Sequence, residues 1–512
     1  MTMAITFVRD AYVDSVVQLR AMRAMREGDD VEWASAAMAT PANVETLRAE
    51  GVDPARLADA GSNDLFLAVR ATTDDAATRA LALGESALSS SGRDDAGVGR
   101  RAEPRTLRDA LSVQPDSNVA VISVPGDYAA LAAYQALSSG LHVLLFSDNV
   151  PLDKEIALKE HALSRGRLVM GPGAGTAMLG GTGLGFANGV TPGRVGVVAA
   201  AGTGAQEAMA LLDRWGAGVT QVIGVGGRDM SAAVGGRMTL AAIRALREHD
   251  GTEVILLVSK PPSPDVAAEV LTAAGGTPMV AALIGLDEGF AAQPGIALAD
   301  TLESGVRTTL GLLGMPAPDT TRTVGPSVRD ARRRLAPDRY VVRGLFSGGT
   351  LCYESLVLLG RTLGEVRSNT PIRPEWGLPA PPDSHQCLDL GEEEYTRGRP
   401  HPMIDPQARI ELLHEHAADP HVAAIILDVV LGYGAHPDPA GLLGPACESV
   451  MADGGPQVVA YVLGTEHDPQ GFSSQREQLV EAGCIVTETS ARSSLVAAAL
   501  ATGDEELAEI DR

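Results

Sequence analysis

Short apolar segments alternate with amphipathic stretches over the middle of the chain, between residues 118 and 284. The apolar segments are typical of strands, and the stretches between them have the spacing of helices. The predicted strands are 118–124, 142–146, 167–170, 195–199, 221–224, 253–258 and 279–284. Strands that are apolar on both faces and separated by helices indicate a buried parallel sheet. The pattern therefore predicts an α/β protein with parallel sheets.

The same alternation is found at both ends of the chain. Residues 4–8 and 64–70 are predicted strands of a small N-terminal β/α unit, with helices at 11–26 and 42–49. Near the C-terminus, 423–430 and 457–462 are predicted strands, and 361–384 has no clear period. Polar or proline-rich stretches at 89–106 and 315–338 are typical of linkers. Four regions result: 1–110 (N-terminal unit and linker), 111–192 (Rossmann-like), 193–335 (flavodoxin-like, with a linker) and 336–512 (C-terminal α/β domain).

Charge and cysteine usage narrow the classes of function. With a formal net charge of −24, the 512-residue chain repels nucleic acids and anionic membranes. The four cysteines are widely spaced and form no Cys-x-x-Cys pair, so neither a metal site nor a disulfide framework is predicted. The N-terminus lacks a signal-peptide pattern, and no long apolar stretch is free of glycine and charge. We expect a cytoplasmic protein with no membrane span.

Glycine-rich turns follow several predicted strands. They occur at Gly171–Thr176, at Gly202–Gly204, at Val222–Asp229 and at Ser347–Thr350. Glycine lets the backbone approach a ligand, and the first N–H groups of a following helix suit an anion. The alternative is that these glycines only close strand–helix joints. The candidate anion-binding residues are Gly173, Gly202, Thr203, Gly204, Gly226, Gly227, Arg228, Ser347, Gly348, Gly349 and Thr350.

No turn has the Gly-Lys-(Ser/Thr) end of a phosphate-binding P-loop, and no Gly-x-Gly-x-x-Gly follows the first strand of a domain. Nucleotide binding through either motif is therefore not predicted. Lys260 lies just beyond a predicted strand, where ligands bind in open parallel sheets. An ordinary surface lysine is the alternative.

A polar segment near the C-terminal third is a second candidate site. Arg397 and Arg399 are predicted to bind a carboxylate or phosphate, and His401 to transfer a proton. A solvent-exposed loop is the alternative. Asp428 interrupts an apolar strand, where an unpaired charge is costly. We expect it either to anchor Arg397, Arg399 or a ligand, or to face water at a strand end.

These motifs resemble known families. Val121–Pro125, Leu144–Asp148, Met170–Pro172 and Gly193–Glu207 resemble the α subunit of succinyl-CoA synthetase, and Leu388–Gly391 resembles the CoA-ligase domain of its β subunit. A fuller resemblance is to the FdrA family of the acyl-CoA synthetase superfamily. It is carried by Ala39–Asn43, Val222–Asp229, Ser259–Pro262, Gly398–Pro406 and Gly464–Pro469. The resemblance implies three Rossmann- or flavodoxin-like units and the small N-terminal unit.

The sequence departs from the synthetase pattern in its phosphate chemistry. No histidine lies between Lys260 and Leu313, where the ADP-forming synthetases carry their phosphohistidine. The glycine turn expected to hold CoA after the first synthetase strand is missing, since Val8–Tyr12 stands near the start instead. An ATP-grasp region is also not recognisable. A phosphoryl relay through this loop is therefore not expected.

The FdrA resemblance implies a subunit of an oxamate carbamoyltransferase in purine or allantoin catabolism. The expected substrates are oxamate, phosphate and carbamoyl phosphate, or another acyl group; the expected partners are other subunits and further copies of the chain. The first alternative is an acyl-CoA synthetase, a ligase forming a thioester with CoA. The second is a non-catalytic scaffold subunit. Tight binding of CoA would favour the thioester enzyme. Activity that appears only when partner subunits are present would favour the scaffold.

Overall fold

The computed structural model describes residues 2–9, 15–26, 28, 30–57, 60–61, 64–90, 104–273, 276–285, 293–321, 324–397 and 399–510. They form two compact units. The first contains residues 1–103 and 393–400, and the second contains 104–392 and 401–512. Most of the predicted linker 89–106 lies outside the described residues. Within the described part of the chain, no helix is long and apolar enough to cross a membrane.

The N-terminal unit is built on an antiparallel sheet. Its strands are ordered β1-β3-β2, so the last strand lies between the first two. Phe66 and Ala68 face one small apolar core, whereas Leu67 and Val69 face another on the opposite side of the sheet. The elements are β1 (Thr2–Val8), α1 (Ser15–Arg26), β2 (Val31–Met38), α2 (Pro41–Ala49), α3 (Pro54–Leu57), β3 (Leu65–Ala71) and α4 (Asp74–Ser90).

The second unit begins with a short parallel sheet of order β4-β5-β6. Val143, Leu144 and Leu145 are buried because helices pack against this sheet. The elements are α5 (Leu107–Val113), β4 (Val119–Ile122), α6 (Gly126–Ser138), β5 (His142–Leu145), α7 (Leu152–Ser164) and β6 (Val169–Met170).

A seven-stranded sheet follows, of order β13-β12-β11-β9-β10-β7-β8. Its central strand, β9, pairs in parallel with β10 and β11, and both faces of these strands are covered. The hairpin of β7 and β8 extends the sheet at an antiparallel edge. The elements are β7 (Thr176–Leu179), β8 (Thr182–Gly185), β9 (Pro192–Ala200), α8 (Gly202–Arg214), β10 (Val219–Gly224), α9 (Arg237–Arg247), β11 (Val254–Ser259), α10 (Pro264–Thr272), β12 (Met279–Leu283), β13 (Ile296–Ala299) and α11 (Leu302–Leu312).

The last sheet has six parallel strands in the order β15-β16-β14-β17-β18-β19. Every residue of β14, β17 and β18 is buried. The elements are α12 (Val324–Arg334), β14 (Val341–Phe346), α13 (Gly349–Leu363), β15 (Val366–Arg367), β16 (His385–Asp389), α15 (Gln407–Ala417), β17 (Val422–Val430), α16 (Pro439–Met451), β18 (Gln457–Leu463), α17 (Phe472–Glu481), β19 (Ile485–Thr487), α18 (Ser490–Thr502) and α19 (Glu506–Glu509), with short 3-10 turns at Pro374–Trp376 and Ala452–Gly454. The short helix α14 (Glu393–Thr396), which falls between β16 and α15 in the sequence, belongs to the first unit.

The two large sheets repeat one plan. From the edge inward, β13-β12-β11-β9-β10 corresponds to β19-β18-β17-β14-β16. We call β9 to α11 the first half and β14 to α18 the second half. In each half the first strand runs into a helix that begins Gly-Thr and carries a glutamate five residues after the glycine. The matching order and motif show that the halves are two versions of one unit.

The matching glutamates, Glu207 and Glu354, each reach the first turn of a helix in the opposite half. Glu354 accepts a hydrogen bond from the Leu302 N–H at 2.7 Å, and Glu207 lies close enough to the backbone of Ser490 for that group to lower its pKa. Glu207 also accepts a hydrogen bond from the Tyr461 hydroxyl at 2.5 Å. Burial, offset only in part by these bonds, raises the pKa of Glu207 to about 7 and that of Glu354 to about 8. The halves are thus joined by reciprocal contacts.

The α/β fold with several parallel sheets is confirmed, and several elements differ from the predicted ones. The predicted linker at 315–338 contains helix α12, because Val328 and Ala331 are buried against its neighbours. Strand β2 and the β7–β8 hairpin were not predicted. Both are rich in alanine or glycine, so they lack the apolar runs of the central strands.

Candidate active site

Helices α8 and α13 begin at one cavity in the second unit. Neither has a side-chain cap: α8 starts after Ala201 and α13 after Gly348. The first N–H groups of a helix have no partner within it, so they are available to a ligand. The helix starts are adjacent, since the Thr350 N–H donates a hydrogen bond to Thr203 Oγ1 at 3.1 Å. The positive ends of two helix dipoles therefore meet in one place.

The cavity has a volume of about 530 Å³. It lies where the carboxyl ends of β9, β11, β14 and β16 meet, the position expected for a ligand in open parallel sheets. The residues that line it are Phe146, Asp148, Asn149, Pro172, Gly173, Gly175, Thr176, Phe186, Ala200, Ala201, Gly202, Thr203, Gln206, Gly227, Arg228, Lys260, Ser347, Gly349, Thr350, Asp389, Gly391, Glu392, His401 and Met403.

Asp428 braces the turn that leads into α13. Its carboxylate accepts hydrogen bonds from the N–H groups of Ser347 and Gly348, both at 2.7 Å, and from the Ser347 hydroxyl at 2.9 Å. The same carboxylate pairs with Arg409 at 2.7 Å, and both side chains are buried. The expectation that Asp428 anchors Arg397 or Arg399, or faces water, is therefore wrong. The cation that pairs with Asp428 is Arg409, which α15 places against strand β17. The role of Asp428 here is to shape the turn that leads into α13.

Asp389 faces the cavity from the end of β16. Its Oδ1 accepts the Gly391 N–H at 3.0 Å, and its own backbone is held at both polar groups by the Asn369 side chain. A Cβ added at Gly349 would lie 2.3 Å from Asp389 Oδ2, so the carboxyl group is packed against the start of α13. Burial raises the pKa of Asp389 to about 6, although Lys260 counteracts this. Asp389 thus titrates near neutral pH.

His401 presents one ring nitrogen to the cavity. Its Nδ1 accepts a hydrogen bond from the Met403 N–H at 3.2 Å, so the neutral ring carries its proton on Nε2. Nε2 lies against Gly391, where an added Cβ would be 2.8 Å away. Burial lowers the pKa of His401 to about 4, and Arg409 lowers it further against the effect of Asp428. At neutral pH this imidazole is an uncharged hydrogen-bond donor.

The first half contributes a turn braced from a different direction. Arg228 donates to the Val150 carbonyl at 2.7 Å and pairs with buried Glu155 at 2.8 Å. Glu155 also pairs with Lys159, which reaches Asp229, and all three of these side chains are fully buried. The charge of Arg228 is therefore partly offset at the edge of the cavity. Lys260, stacked over the Tyr353 ring at 5.5 Å, is a second cation lining the cavity.

The structure brings nine of the predicted site residues to this cavity: Gly173, Gly202, Thr203, Gly227, Arg228, Ser347, Gly349, Thr350 and His401. Three predicted glycines do not line it, because they are packed against protein atoms: Gly204, Gly226 and Gly348. An added Cβ at Gly226 would meet the Gly171 backbone at 2.7 Å, so this glycine serves close packing.

Arg397 and Arg399 belong to the N-terminal unit, whereas His401 belongs to the second. Arg397 is exposed and pairs with Glu393 at 3.0 Å, a geometry that suits a surface turn. The predicted role of these arginines in binding a carboxylate stays a prediction.

Sequence reasoning overlooked Asp389. Leu388–Gly391 was recognised only as a family motif, because a single acidic residue after an apolar strand carries no distinctive spacing. The signal that identifies it is register, since Asp389 pairs with Phe346 at the end of the central strand of the second half.

Known proteins resemble parts or all of the chain. Residues 345–500 match the CoA-ligase family, and residues 1–104 match the AllF heavy metal-associated domain. The chain is 38% identical over 508 residues to the uncharacterized protein YahF of Escherichia coli K12, which covers 97% of this chain and 98% of that protein. It is 28% identical over 204 residues to the succinate–CoA ligase (ADP-forming) subunit alpha 2 of Archaeoglobus fulgidus, covering 38% of this chain and 68% of that one.

Among solved structures, the dinucleotide-forming acetyl-coenzyme A synthetase 1 of Ca. Korarchaeum cryptofilum matches at 16% identity and a TM-score of 0.31, over 76% of this chain and 84% of that one. The sequence matches confirm the resemblance to succinyl-CoA synthetase, and the FdrA assignment stays a prediction. Residues 1–104 contain neither cysteine nor histidine, the usual ligands of soft metals. The name of the N-terminal match therefore does not imply a metal site of that type in this chain.

Proposed function

The chain belongs to the family of the Escherichia coli protein YahF and carries a CoA-ligase-like domain, and from this premise we propose that it transfers acyl groups to or from phosphate. The reaction takes place in the cavity between the two halves. An acyl phosphate gives its acyl group to a small nucleophile, or the reverse reaction forms the acyl phosphate.

The meeting of two uncapped helix starts is the observation that carries this proposal. Gly202 and Thr203 begin one first turn and Gly349 begins the other, while the Thr350 N–H is already bonded to Thr203 Oγ1. Backbone N–H groups and helix dipoles of this kind favour phosphate over neutral ligands. A strongly acidic chain has to hold an anion through such a local arrangement, because its overall field repels it.

His401 and Lys260 complete the site. In this proposal the Nε2–H of His401, a residue that lines the cavity, donates to the acyl oxygen as negative charge develops there. Lys260 balances the charge of the phosphate or of a second acidic group. Proton transfer by His401 stays a prediction, but donation fits its low pKa better, because an imidazole with a pKa of about 4 is a weak base at neutral pH.

Direct transfer agrees with the sequence of the first half. The stretch between Lys260 and Leu313 lacks the histidine that would carry a phosphoryl group. The phosphate in this proposal therefore remains bound at the helix starts and never becomes attached to the protein.

CoA is the acyl acceptor that the family resemblance favours. The cavity suits its reacting end, and CoA would supply the thiol. The glycine turn expected to hold CoA is missing from the sequence near Val8–Tyr12. Gly126, in the turn from β4 into α6, does not replace it, because an added Cβ would lie 2.4 Å from the Asp148 carbonyl oxygen and this glycine accommodates the chain itself. Thioester formation is thus supported by the family match alone.

The nitrogen of oxamate is the narrower candidate acceptor, with carbamoyl phosphate as donor. This would make the chain the carbamoyltransferase subunit predicted from the FdrA resemblance, acting in purine or allantoin catabolism with partner subunits. This candidate is supported by the helix starts and the cations Arg228 and Lys260 that line the cavity, and it needs no phosphohistidine loop.

The proposal can be tested by assaying the chain with each combination of acyl phosphate donor and acyl acceptor. We expect phosphate release from acetyl phosphate or carbamoyl phosphate to depend on either CoA or oxamate, and calorimetry to detect inorganic phosphate binding. His401→Ala removes one donor and is expected to lower kcat by about 10²–10³-fold, as for other oxyanion donors. Arg194→Ala, which breaks the exposed pair with Glu253, is the control and should retain full activity. A chain that neither binds phosphate nor turns over any pair, alone or with its genomic neighbours, would contradict the proposal.

A further inference from the structure

Two carboxylates flank the end of β14, and they differ in what holds them. Asp428 is bound by two N–H groups, a hydroxyl and Arg409. Asp389 has one N–H partner, at Oδ1, and its Oδ2 lies against the start of α13. The first carboxylate is a structural group, because its contacts occupy it. The second is 97% buried and yet lines the cavity where the phosphate is proposed to bind.

We propose that Asp389 is the catalytic residue that takes the proton from the acyl acceptor, an inference that rests on the proposed function. As the sulfur or nitrogen of the acceptor bonds to the acyl carbon, its proton moves to Asp389 Oδ2. The bond between the acyl carbon and the phosphate oxygen breaks, and its electron pair leaves with the phosphate. The proton then passes from Asp389 to the departing phosphate or to solvent. In the reverse direction, protonated Asp389 returns the proton to the acceptor.

The surroundings of Asp389 suit both states of this cycle. Lys260 is the cation that favours the carboxylate, and Glu392, Asp428 and burial favour the protonated acid. Cys352, which lies close enough for Asp389 to raise its pKa, is fully buried and stays a neutral thiol. His401 is neutral near pH 7 and adds no charge to the balance. A pKa of about 6 for Asp389 then leaves it largely ionised, with little cost to protonation, at neutral pH.

The equivalent position of the first half carries no carboxylate, which indicates that Asp389 is not a requirement of the fold. Asp389 pairs with Phe346 of β14, and the matching partner of Ala199 in β9 is Gly224. One half therefore forms the same strand end and the same helix start without a carboxylate. A buried acid that the fold does not need costs stability, and such residues are typical of active sites.

Asp389→Asn is the direct test, because asparagine can still accept the Gly391 N–H. We expect kcat/KM to fall about 10²–10⁴-fold. We also expect loss of the acid limb that wild type should show near pH 6. The variant should bind inorganic phosphate at least as tightly as wild type, since a negative charge beside the helix start is removed. It should also be no less stable to urea. Asp153→Asn, the same charge change at an exposed residue, should match wild type in every measurement.

Asp389→Ala supplies a second test, with formate as the probe. Formate should restore part of its turnover, because a small carboxylate can enter the space left by the side chain. Wild-type rates and an unchanged pH profile in Asp389→Asn would overturn the role of Asp389 and leave the proposed function standing. Low activity accompanied by loss of stability and of phosphate binding would make the residue structural. Failure of the wild-type chain to bind phosphate or to turn over any acyl phosphate would overturn both.

Discussion

The two halves of the second unit share strand order, helix starts and a matching glutamate, but they differ in the residues beside their central strands. At the end of β9 the neighbouring positions are Gly224 and Val258, and at the end of β14 one is Asp389. The other is Asp428, one residue beyond the pairing of Leu345 with Leu427. One half therefore places small or apolar side chains where its counterpart places two acids.

This difference indicates a division of roles within one site. The first half supplies the cations Arg228 and Lys260 and an open helix start, which are groups that attract an anion. The second half supplies a braced turn and, in Asp389, a group that can exchange a proton. The two halves thus share the geometry of the helix start, while the carboxylates beside the central strand are confined to one of them.

The largest effect is expected from breaking the brace of the second half. Asp428→Ala leaves the buried charge of Arg409 unpaired and the N–H groups of Ser347 and Gly348 unsatisfied. We expect a loss of about 3–5 kcal/mol in the free energy of unfolding, measured by urea denaturation. Asp300→Ala breaks an exposed pair with Arg361 and should cost no more than about 1 kcal/mol. Equal losses in both variants would show that Asp428 is not a brace.

The reciprocal glutamates predict a pH dependence of stability. Burial raises the pKa of Glu354 to about 8, so the folded state binds a proton that the unfolded chain releases near pH 4.5. Stability from this group is complete below pH 4.5 and falls as the pH rises towards 8. Glu354→Gln, a neutral isostere, should be more stable than wild type by on the order of 2–4 kcal/mol at pH 8.5 and nearly equal to it at pH 4.5.

Glu207→Gln should behave in the same way over a window that ends near pH 7. The exposed Glu253→Gln is the control, and its difference from wild type should not change with pH. If the free energy of unfolding of the two buried variants differed from that of wild type by the same amount at every pH, these glutamates would not be the source of the pH dependence.

The smallest effect compares the two helix starts directly. An added Cβ at Gly349 would lie 2.3 Å from Asp389 Oδ2, whereas at Gly202 it would meet nothing within 4 Å. Gly349→Ala is therefore expected to displace the Asp389 carboxyl and lower kcat/KM by about 10–100-fold, equivalent to roughly 1.4–2.7 kcal/mol. Gly202→Ala should retain most of the activity. Equal losses in both variants would mean that the two starts are used alike.

The sequence was sufficient to predict the parallel sheets, because their strands are apolar on both faces over several residues. Val254–Ser259 and Val422–Val430 are such strands, and both are buried throughout. Strand β2 was not predictable in this way, since its residues Val31–Met38 are small and only partly buried. Local composition therefore identified several strands that are covered on both sides, but it overlooked edge strands and also the central strand β14, whose apolar run is interrupted by Arg343 and Gly344.

The glycine turns of the candidate site could also be predicted, because glycine before a helix has a recognisable local pattern. The sequence could not predict which of these glycines face the cavity. Gly202 and Gly204 stand two residues apart, yet only Gly202 lines it, because Gly204 is packed against Thr350 and Val258. Asp389 and Arg409 owe their roles to strand register and to helix α15, which are properties of tertiary structure.

The contact of Glu354 with the start of α11, and of Glu207 with the start of α18, has the form of a two-fold exchange. In a symmetric dimer, each subunit gives the other the contact that it receives. This chain has the arrangement that would result from joining two such subunits end to end. Within a single chain the two halves need not be identical, so one of them can carry acids that an identical pair would have to carry twice.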